Sequence, residues 1–398
     1  MNKEFDHSID IIIGVPALNE ESTIQDVVTA LDKGLHKFYP DKVSLIILLD
    51  SNSTDRTVHI FNDTPSVTQK LVIKNKKHGK GRNIINLLKL AVAQNPKCVC
   101  MVDADISNIK DDWVRKLVEP VLKNDADFVF PLYRRGKFAG NITNLICRPL
   151  LYGLYGLFIV QPIGGDFAFS TEYARSILLR LKTIPKPIKT VINDFGIDIF
   201  MTFSCLSLGY KYCEVDLGEK IDKLGFFHID QIFEEVCTVL FYLVANSSVD
   251  FSSKDVAKIS TTKFILESNP YSDEELLKRL DMGLLYRKKQ QAMMVNKKLY
   301  SGLNISALEN KEQISSEEFN NLLLEITGIL SSKRTSSKTY LEQLVNLLRP
   351  YFHIRIYTYF NEIKDKDPRE VEGLLINTCE FIRNGLAVQK KSSLATTL

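Results

Sequence analysis

Cysteine is scarce and unpaired in this sequence. Seven cysteines and no CxxC pair provide neither a disulfide framework nor a zinc site. Cys98 and Cys100 alternate with Val99 and Met101, as reduced thiols packed in a strand do. An excess of one charge is also missing. A formal net charge of +3 over 398 residues argues against bulk attraction to nucleic acid or to an anionic membrane surface. No apolar run is long enough to cross a bilayer: the uninterrupted part of "PLLYGLYGLFIVQPIGG", Leu150 to Val160, is too short and reads as a buried helix. The opening "MNKEFDHSIDIIIGVPALNEES" carries acidic residues before its apolar stretch and lacks a signal peptide's hydrophobic length. The expectation is a cytoplasmic protein without stable membrane insertion. There is no internal repeat and no GxxxxGK[ST] phosphate loop.

What remains is an ordinary soluble composition, 45% hydrophobic and 25% charged, in a chain long enough for two domains. From residue 9 to about 130, the β-rich runs "IDIIIGV", "VSLIILLD", "KLVIKN" and "KCVCMVDAD" alternate with helical patterns. Such alternation predicts βαβ units and a parallel sheet. Ser53 or Thr54 suits the cap of the second helix, with Asp55 in its first turn. After about residue 235, strand signals give way to helical spacing and capping residues. The division expected is 1–235 for the α/β domain and 236–398 for a mostly helical one. "DQIFEEVCTVLFYLVA" reads as a core helix or as a homodimer face.

In an open α/β sheet, ligands bind beyond the carboxyl ends of the strands, so the chemistry should lie in "VPALNEES", "LLDSNSTD", "KNKKHGKGRN" and "VDADIS". The third loop concentrates Lys74, Lys76, Lys77, Lys80 and Arg82 around Gly79 and Gly81. A basic, glycine-containing loop that opens a helix suits phosphate oxygens, or is simply a solvated basic loop. Asp103 and Asp105 are two carboxylates at a strand end. Unpaired burial would cost them several kcal/mol, so they should meet a cation. Together they suit Mg²⁺ or Mn²⁺ shared with substrate phosphate.

The ordered set "VPALNEESTI", "LLDSNSTD", "GKG", "DADIS", "FVQPIGGDFAFS", "FGIDIF" and "VDLGEKIDK", from about residue 10 to 235, is similar to the retaining GT-A glycosyltransferases that make glucosyl-3-phosphoglycerate and to the related mannosylglycerate synthases. The resemblance implies an α/β, Rossmann-like GT-A domain with a mostly helical C-terminal domain. It implies a metal-dependent hexosyl transfer from a nucleotide sugar to a small anionic acceptor, 3-phosphoglycerate or D-glycerate. "PALNE" resembles the UDP-glucose users more than the GDP-mannose users, and GDP-glucose is the remaining donor.

The resemblance also assigns roles. Pro16, Ala17, Leu18 and Glu20 would hold the nucleoside beside Asp50 and Ser51, and Lys80 would meet the diphosphate. Asp105 would coordinate the metal, with Asp103 contributing to the metal site or contacting ribose or donor sugar. Ile163, Gly164 and Asp166 of "QPIGGD" would lie beneath the transferred sugar and acceptor. Asp198 matches an acidic position near both substrates, a positioning group before a covalent nucleophile. Where relatives carry a metal-binding histidine this chain has Asp222, with His228 six residues later as the other candidate. Arg135 and Thr143 match glycerate-contacting positions, and Asn141 stands where the phosphoglycerate family tends to carry arginine. Two other readings fit less of the pattern. One is an inverting transferase for a polyprenyl phosphate or polysaccharide, which usually needs a placed base and often spanning helices. The other is a non-catalytic nucleotide-sugar-binding protein.

Overall fold

The computed structural model describes residues 8–221, 229–247, 264–268, 272–293, 303–332 and 334–395. Strands β1 (Ile11–Ala17), β2 (Ser44–Asp50), β3 (Gln69–Lys74) and β4 (Cys98–Met101) are joined by helices α1 (Ile24–Phe38), α2 (Thr57–Asp63) and α3 (Lys80–Gln94). The chain continues through α4 (Asp112–Leu122), β5 (Phe128–Gly136), α5 (Arg148–Tyr155), β6 (Ala168–Phe169), α6 (Thr171–Thr183), α7 (Lys186–Ile192), α8 (Gly196–Leu208), β7 (Tyr212–Glu219) and α9 (Ile229–Ala245). The sheet order is β3-β2-β1-β4-β6-β5-β7, and β8 (Ile265–Leu266) pairs with the end of β5. β1, β2, β3 and β4 are parallel, whereas β6 runs antiparallel between β4 and β5. This is the α/β arrangement that the alternating pattern predicted, and it agrees with the GT-A domain that the resemblance implied.

The run "IIIGVPA" is buried at every position, as a central parallel strand covered on both faces must be. On one face, Val27, Val28 and Leu31 of α1 and Trp113, Val114 and Leu117 of α4 join Ile11, Ile13 and Val15 in one apolar cluster. On the other, α3 approaches so closely that a Cβ added at Gly14 would lie 2.6 Å from Leu87 Cδ2. That close approach fixes the first residue of α3, Lys80, relative to the strand ends.

Contacts divide the chain into two units: Met1–Tyr133 with Gln161–Val236, and Arg134–Val160 with Cys237–Leu398. The division expected at 235 therefore needs correction for one segment, because residues 134–160 join the C-terminal helices. The reason is packing. All eight residues of α5 are buried, and a side chain at Gly153 would come within 2.8 Å of Leu386 and 2.9 Å of Ile382. Those two residues belong to the helix Pro368–Ala395. Lys137 Nζ donates to the carbonyls of Lys364 and Lys366 at 3.0 and 2.9 Å. The Arg148 guanidinium lies over the rings of Phe158 and Phe264, 5.3 and 4.8 Å from their centroids, a cation–π arrangement that keeps a buried charge in apolar surroundings. The remaining long helices of this unit are Asp273–Met293, Ser316–Ser332 and Lys338–Ile363.

Candidate active site

The basic loop is positioned by its glycines. Gly79 has φ +135°, which disfavours any L side chain, and a Cβ at Gly81 would fall 1.9 Å from the Ile192 carbonyl oxygen. The start of α3 consequently lies on the turn between α7 and α8. Gly81 N–H donates to Asp194 O at 3.2 Å, and Arg82 N–H to Asn193 O at 2.9 Å. The Lys80 N–H bonds the Asp194 carboxylate. The amides of Lys80, Gly81 and Arg82 are thus engaged by the protein's own chain, and the loop presents the side chains of Lys80 and His78 to the adjoining pocket.

Two loops are knitted beside it. Asn19 N–H donates to Ser53 Oγ at 3.0 Å, Thr54 N–H to Asn19 Oδ1 at 2.8 Å, and Glu20 N–H to Thr57 Oγ1 at 2.7 Å. Ser53 and Thr54 are occupied in this way, so they do not cap α2. The cap position is Arg56, which makes no side-chain cap bond; just before it Asp55 accepts from Thr57 N–H at 3.0 Å, and although burial works the other way its hydrogen bonds hold the carboxyl below the usual range. Asp50 is buried at the end of β2 and accepts the Ser53 N–H at 3.1 Å.

At the strand ends a chain of alternating charge is assembled. Lys80 Nζ lies 3.0 Å from Asp198 Oδ2 and 2.9 Å from Asp103 Oδ1; Lys220 Nζ lies 2.9 Å from Asp103 Oδ2 and 2.8 Å from Asp166 Oδ2. Asp166 Oδ1 also accepts the Asp103 N–H at 2.7 Å, and Tyr133 OH bonds Asp166 Oδ2. Gly165, at φ +86°, passes so near that a Cβ would sit 2.3 Å from Asp103 Oδ2 and 2.8 Å from Lys80 Nζ.

Burial opposes ionisation throughout this chain, but the pairing decides each group differently. Burial raises Asp103's pKa, yet Lys220 and Lys80 overcome it and hold the carboxyl well below the ordinary range. Burial likewise disfavours the Lys80 ammonium, and Asp103 and Asp198 more than offset it. Asp166 is pushed up to about 7 by burial, with Asp103 adding to it. Asp198 is raised too, chiefly by burial, and its Oδ1 is buried with no hydrogen-bond partner.

Pro16, Ala17, Leu18, Glu20, Ser51, Lys80, Asp103 and Asp105 line one pocket of about 360 Å³, within the size range of small-ligand sites. Asp166 lies behind Asp103, with 0% exposure, so it positions neighbours rather than facing a ligand. Gly164 offers its carbonyl to Lys220 at 3.3 Å, and Ile163 beside it is half-buried. Arg135, Asn141 and Thr143 belong to the second unit. There the Arg135 N–H bonds Phe264 O at 3.2 Å, Thr143 is buried, and Asn141 Oδ1 is buried without a hydrogen-bond partner. Asp222 and His228 lie outside the described residues.

Sequence reasoning missed Lys220, a lysine in "GEKIDK" that resembles a surface residue until β7 delivers it to two aspartates. It also missed His78, Asn83, Phe195 and Gln231 in the pocket lining. Asn83 carried a faint signal, a polar residue on the apolar side of α3; it bonds Ser51 Oγ at 2.9 Å.

The fit to a divalent cation rests on charge. In the ion pairs of the described residues, three carboxylates, Asp103, Asp166 and Asp198, share two ammonium groups, and Asp105 lies two residues along from Asp103 in the same pocket lining. Burial first, with the Asp103 carboxylate adding to it, raises Asp166 and Asp198, and a hard cation on oxygen donors would offset such crowding of carboxylates. No ready-made group of three His, Cys, Asp or Glu ligands is gathered among the described residues.

Residues 12–171 match the model of "Glycosyl transferase family 2". Two relatives are glucosyl-3-phosphoglycerate synthases of Mycobacterium tuberculosis (strain ATCC 25618 / H37Rv) and Mycobacterium bovis. Each is 30% identical over 243 residues, covering 54% of this chain and 69% of the relative. A crystal structure of the M. tuberculosis enzyme with Mn²⁺, UDP and glucosyl-3-phosphoglycerate aligns at 25% identity with a TM-score of 0.47, over 61% of this chain and 82% of that one.

Proposed function

The chain belongs to glycosyl transferase family 2 and is a glycosyltransferase, and from that premise we propose that it moves glucose from UDP-glucose to 3-phosphoglycerate, or to D-glycerate, with retention and with Mg²⁺ or Mn²⁺ bound. The observation that carries this reading is the Asp198–Lys80–Asp103–Lys220–Asp166 chain bordering the pocket lined by Pro16, Ala17, Leu18 and Asp105. The curated relatives' activity supports the choice of donor and acceptor.

The roles follow from the geometry. Pro16, Ala17 and Leu18 supply an apolar wall for the nucleoside, with Glu20 and Ser51 offering polar groups beside it. Asp105, with Asp103 and Asp222, would hold the cation, which when bound neutralises diphosphate charge and stabilises the leaving group. Lys80 Nζ, held in place by Asp103 and Asp198, presents a positive charge to the same oxygens and needs no reorganisation as charge develops. Asp198 keeps one carboxylate oxygen free to orient a sugar hydroxyl or face an oxocarbenium-like centre. No separate base is required, because the departing diphosphate takes the acceptor's proton. Arg135, Thr143 and Asn141 remain the acceptor-binding candidates, an arginine suiting a small carboxylate.

The test is to incubate the purified protein with Mg²⁺ or Mn²⁺ and UDP-glucose, GDP-glucose or GDP-mannose, crossed with 3-phosphoglycerate and D-glycerate. Acceptor-dependent UDP release, with an α-glucosyl product of the expected mass, is the expected result. Donor consumption without an acceptor product, or an inverted anomer, would overturn it.

A further inference from the structure

The turn between α7 and α8 forms part of the pocket wall through Asp194 and Phe195, and the two helices meet there at 105°. Toward α3 this turn is tied by the backbone bonds already described. Its tie to α9 is a side chain. Glu235 Oε2 accepts the Phe195 N–H at 2.8 Å, and Glu235 Oε1 accepts from Gln231 Nε2 at 3.0 Å. Phe195 and Gln231 both line the pocket. One carboxyl group therefore holds two pocket-lining residues from two different elements, and it acts on the carboxylate of a third, Asp194.

We propose that Glu235 is a positioning residue of the nucleotide site: it fixes Phe195 and Gln231, and its ionisation adds negative charge behind Asp194 that weakens donor binding. This deepens the function proposed above and rests on the pocket's being the donor site. Among the described residues, the charged groups acting on Glu235 are Asp194, from the turn, and Glu234, from its own helix; both are of like sign. Arg82 and His78 act on Asp194. Burial first, then Asp194 and Glu234, push Glu235 up to about 7, against the bonds from Gln231 and Phe195 that favour its charged form. Below that value the group is neutral and still accepts the Phe195 N–H. Above it, a second negative charge stands beside Asp194, close to where a diphosphate would enter.

The test is calorimetric titration of the full chain with UDP-glucose and Mg²⁺ at pH 6 and pH 8. The wild type should bind about tenfold more weakly at pH 8, as a like charge at short range requires. Glu235→Gln should match the wild type's pH 6 affinity at both pH values. Glu235→Ala should bind about tenfold more weakly at both, because the tie to Phe195 and Gln231 is lost. The difference between wild type and Glu235→Gln separates Glu235 from every other titrating group, and a merely structural role would not produce it. A Glu235→Gln profile parallel to the wild type overturns the charge effect. A ligand-free measurement tests positioning separately: hydrogen exchange at the Phe195 amide should accelerate at least about tenfold in Glu235→Ala, and unchanged exchange overturns the tie. If the wild type binds no UDP-glucose while exchange behaves as expected, the donor-site reading fails and the tie stands.

Discussion

Lys220 Nζ lies 2.9 Å from Asp103 Oδ2, on a side chain that is 2% exposed. Its second partner, Asp166, has no exposed side-chain surface. Removing one member of a buried charge set leaves the others without compensation, typically at a cost of about 3–5 kcal/mol. Lys220→Met should lower the unfolding free energy by that order in urea titrations and abolish transfer. Lys220→Met combined with Asp166→Asn should recover part of the stability, since the orphaned charge is then removed. Equal stability of the single and double variants would show that the pairing is not what the charge chain depends on.

Gly165 is the position where backbone geometry and charge meet. Its φ of +86° disfavours a side chain, and a Cβ there collides with Asp103 Oδ2 at 2.3 Å. A strained backbone of this kind costs on the order of 1–3 kcal/mol, and Asp103 must also move. Gly165→Ala should fold with a lowered Tm and lose most of its turnover. Gly209, at φ +73°, has nothing near its Cβ position, so Gly209→Ala should show the backbone cost alone, with turnover retained.

Asp105 lines the pocket beside Asp103 and is 8% exposed. Asp105→Ala should reduce Mn²⁺ affinity and turnover by at least about a hundredfold, more than the loss typical of an outer-sphere partner. Asp222→Ala should do the same, while His228→Ala should remain within about twofold of the wild type. Mn²⁺ titration followed by electron paramagnetic resonance reads the affinity directly. Normal Mn²⁺ binding by Asp105→Ala would remove that residue from the metal site.

Much of this arrangement could be read from the chain because parallel strands carry their loops to one edge of the sheet. "PALNE", "DSNSTD", "HGKG" and "DADIS" had to converge once β1, β2, β3 and β4 were recognised. Lys220 could not be read in the same way. It is 117 residues from Asp103 in sequence and depends on β7 reaching the far side of the β5–β6 pair. Glu235 lies on a helix whose apolar spacing says only that one face is buried. The cap of α2 was misplaced because Ser53 and Thr54 have the right chemistry, but Asn19, from a different loop, claims them first. Residues 134–160 changed unit for a similar reason: an apolar helix signals burial without naming what covers it, and here Ile382 and Leu386 do.

Glu235 should also leave its mark on stability, in a direction the shift fixes. Its folded pKa of about 7 stands above the ordinary glutamate value of 4.5, so between those values the folded state binds more protons than the unfolded one. The unfolding free energy must therefore fall as pH rises through that window. A fully buried group with this shift would give a slope of several kcal/mol over the window. Glu235 is only part-buried, and solvent screening reduces the expected loss to about 1 kcal/mol. Glu235→Gln, which cannot ionise, should lack this contribution. Against wild type it should gain stability at pH 8 relative to pH 5, read as a difference in Tm at the two pH values. The same difference at both pH values would mean that the substitution acts through packing, and that the carboxyl is already charged at pH 5.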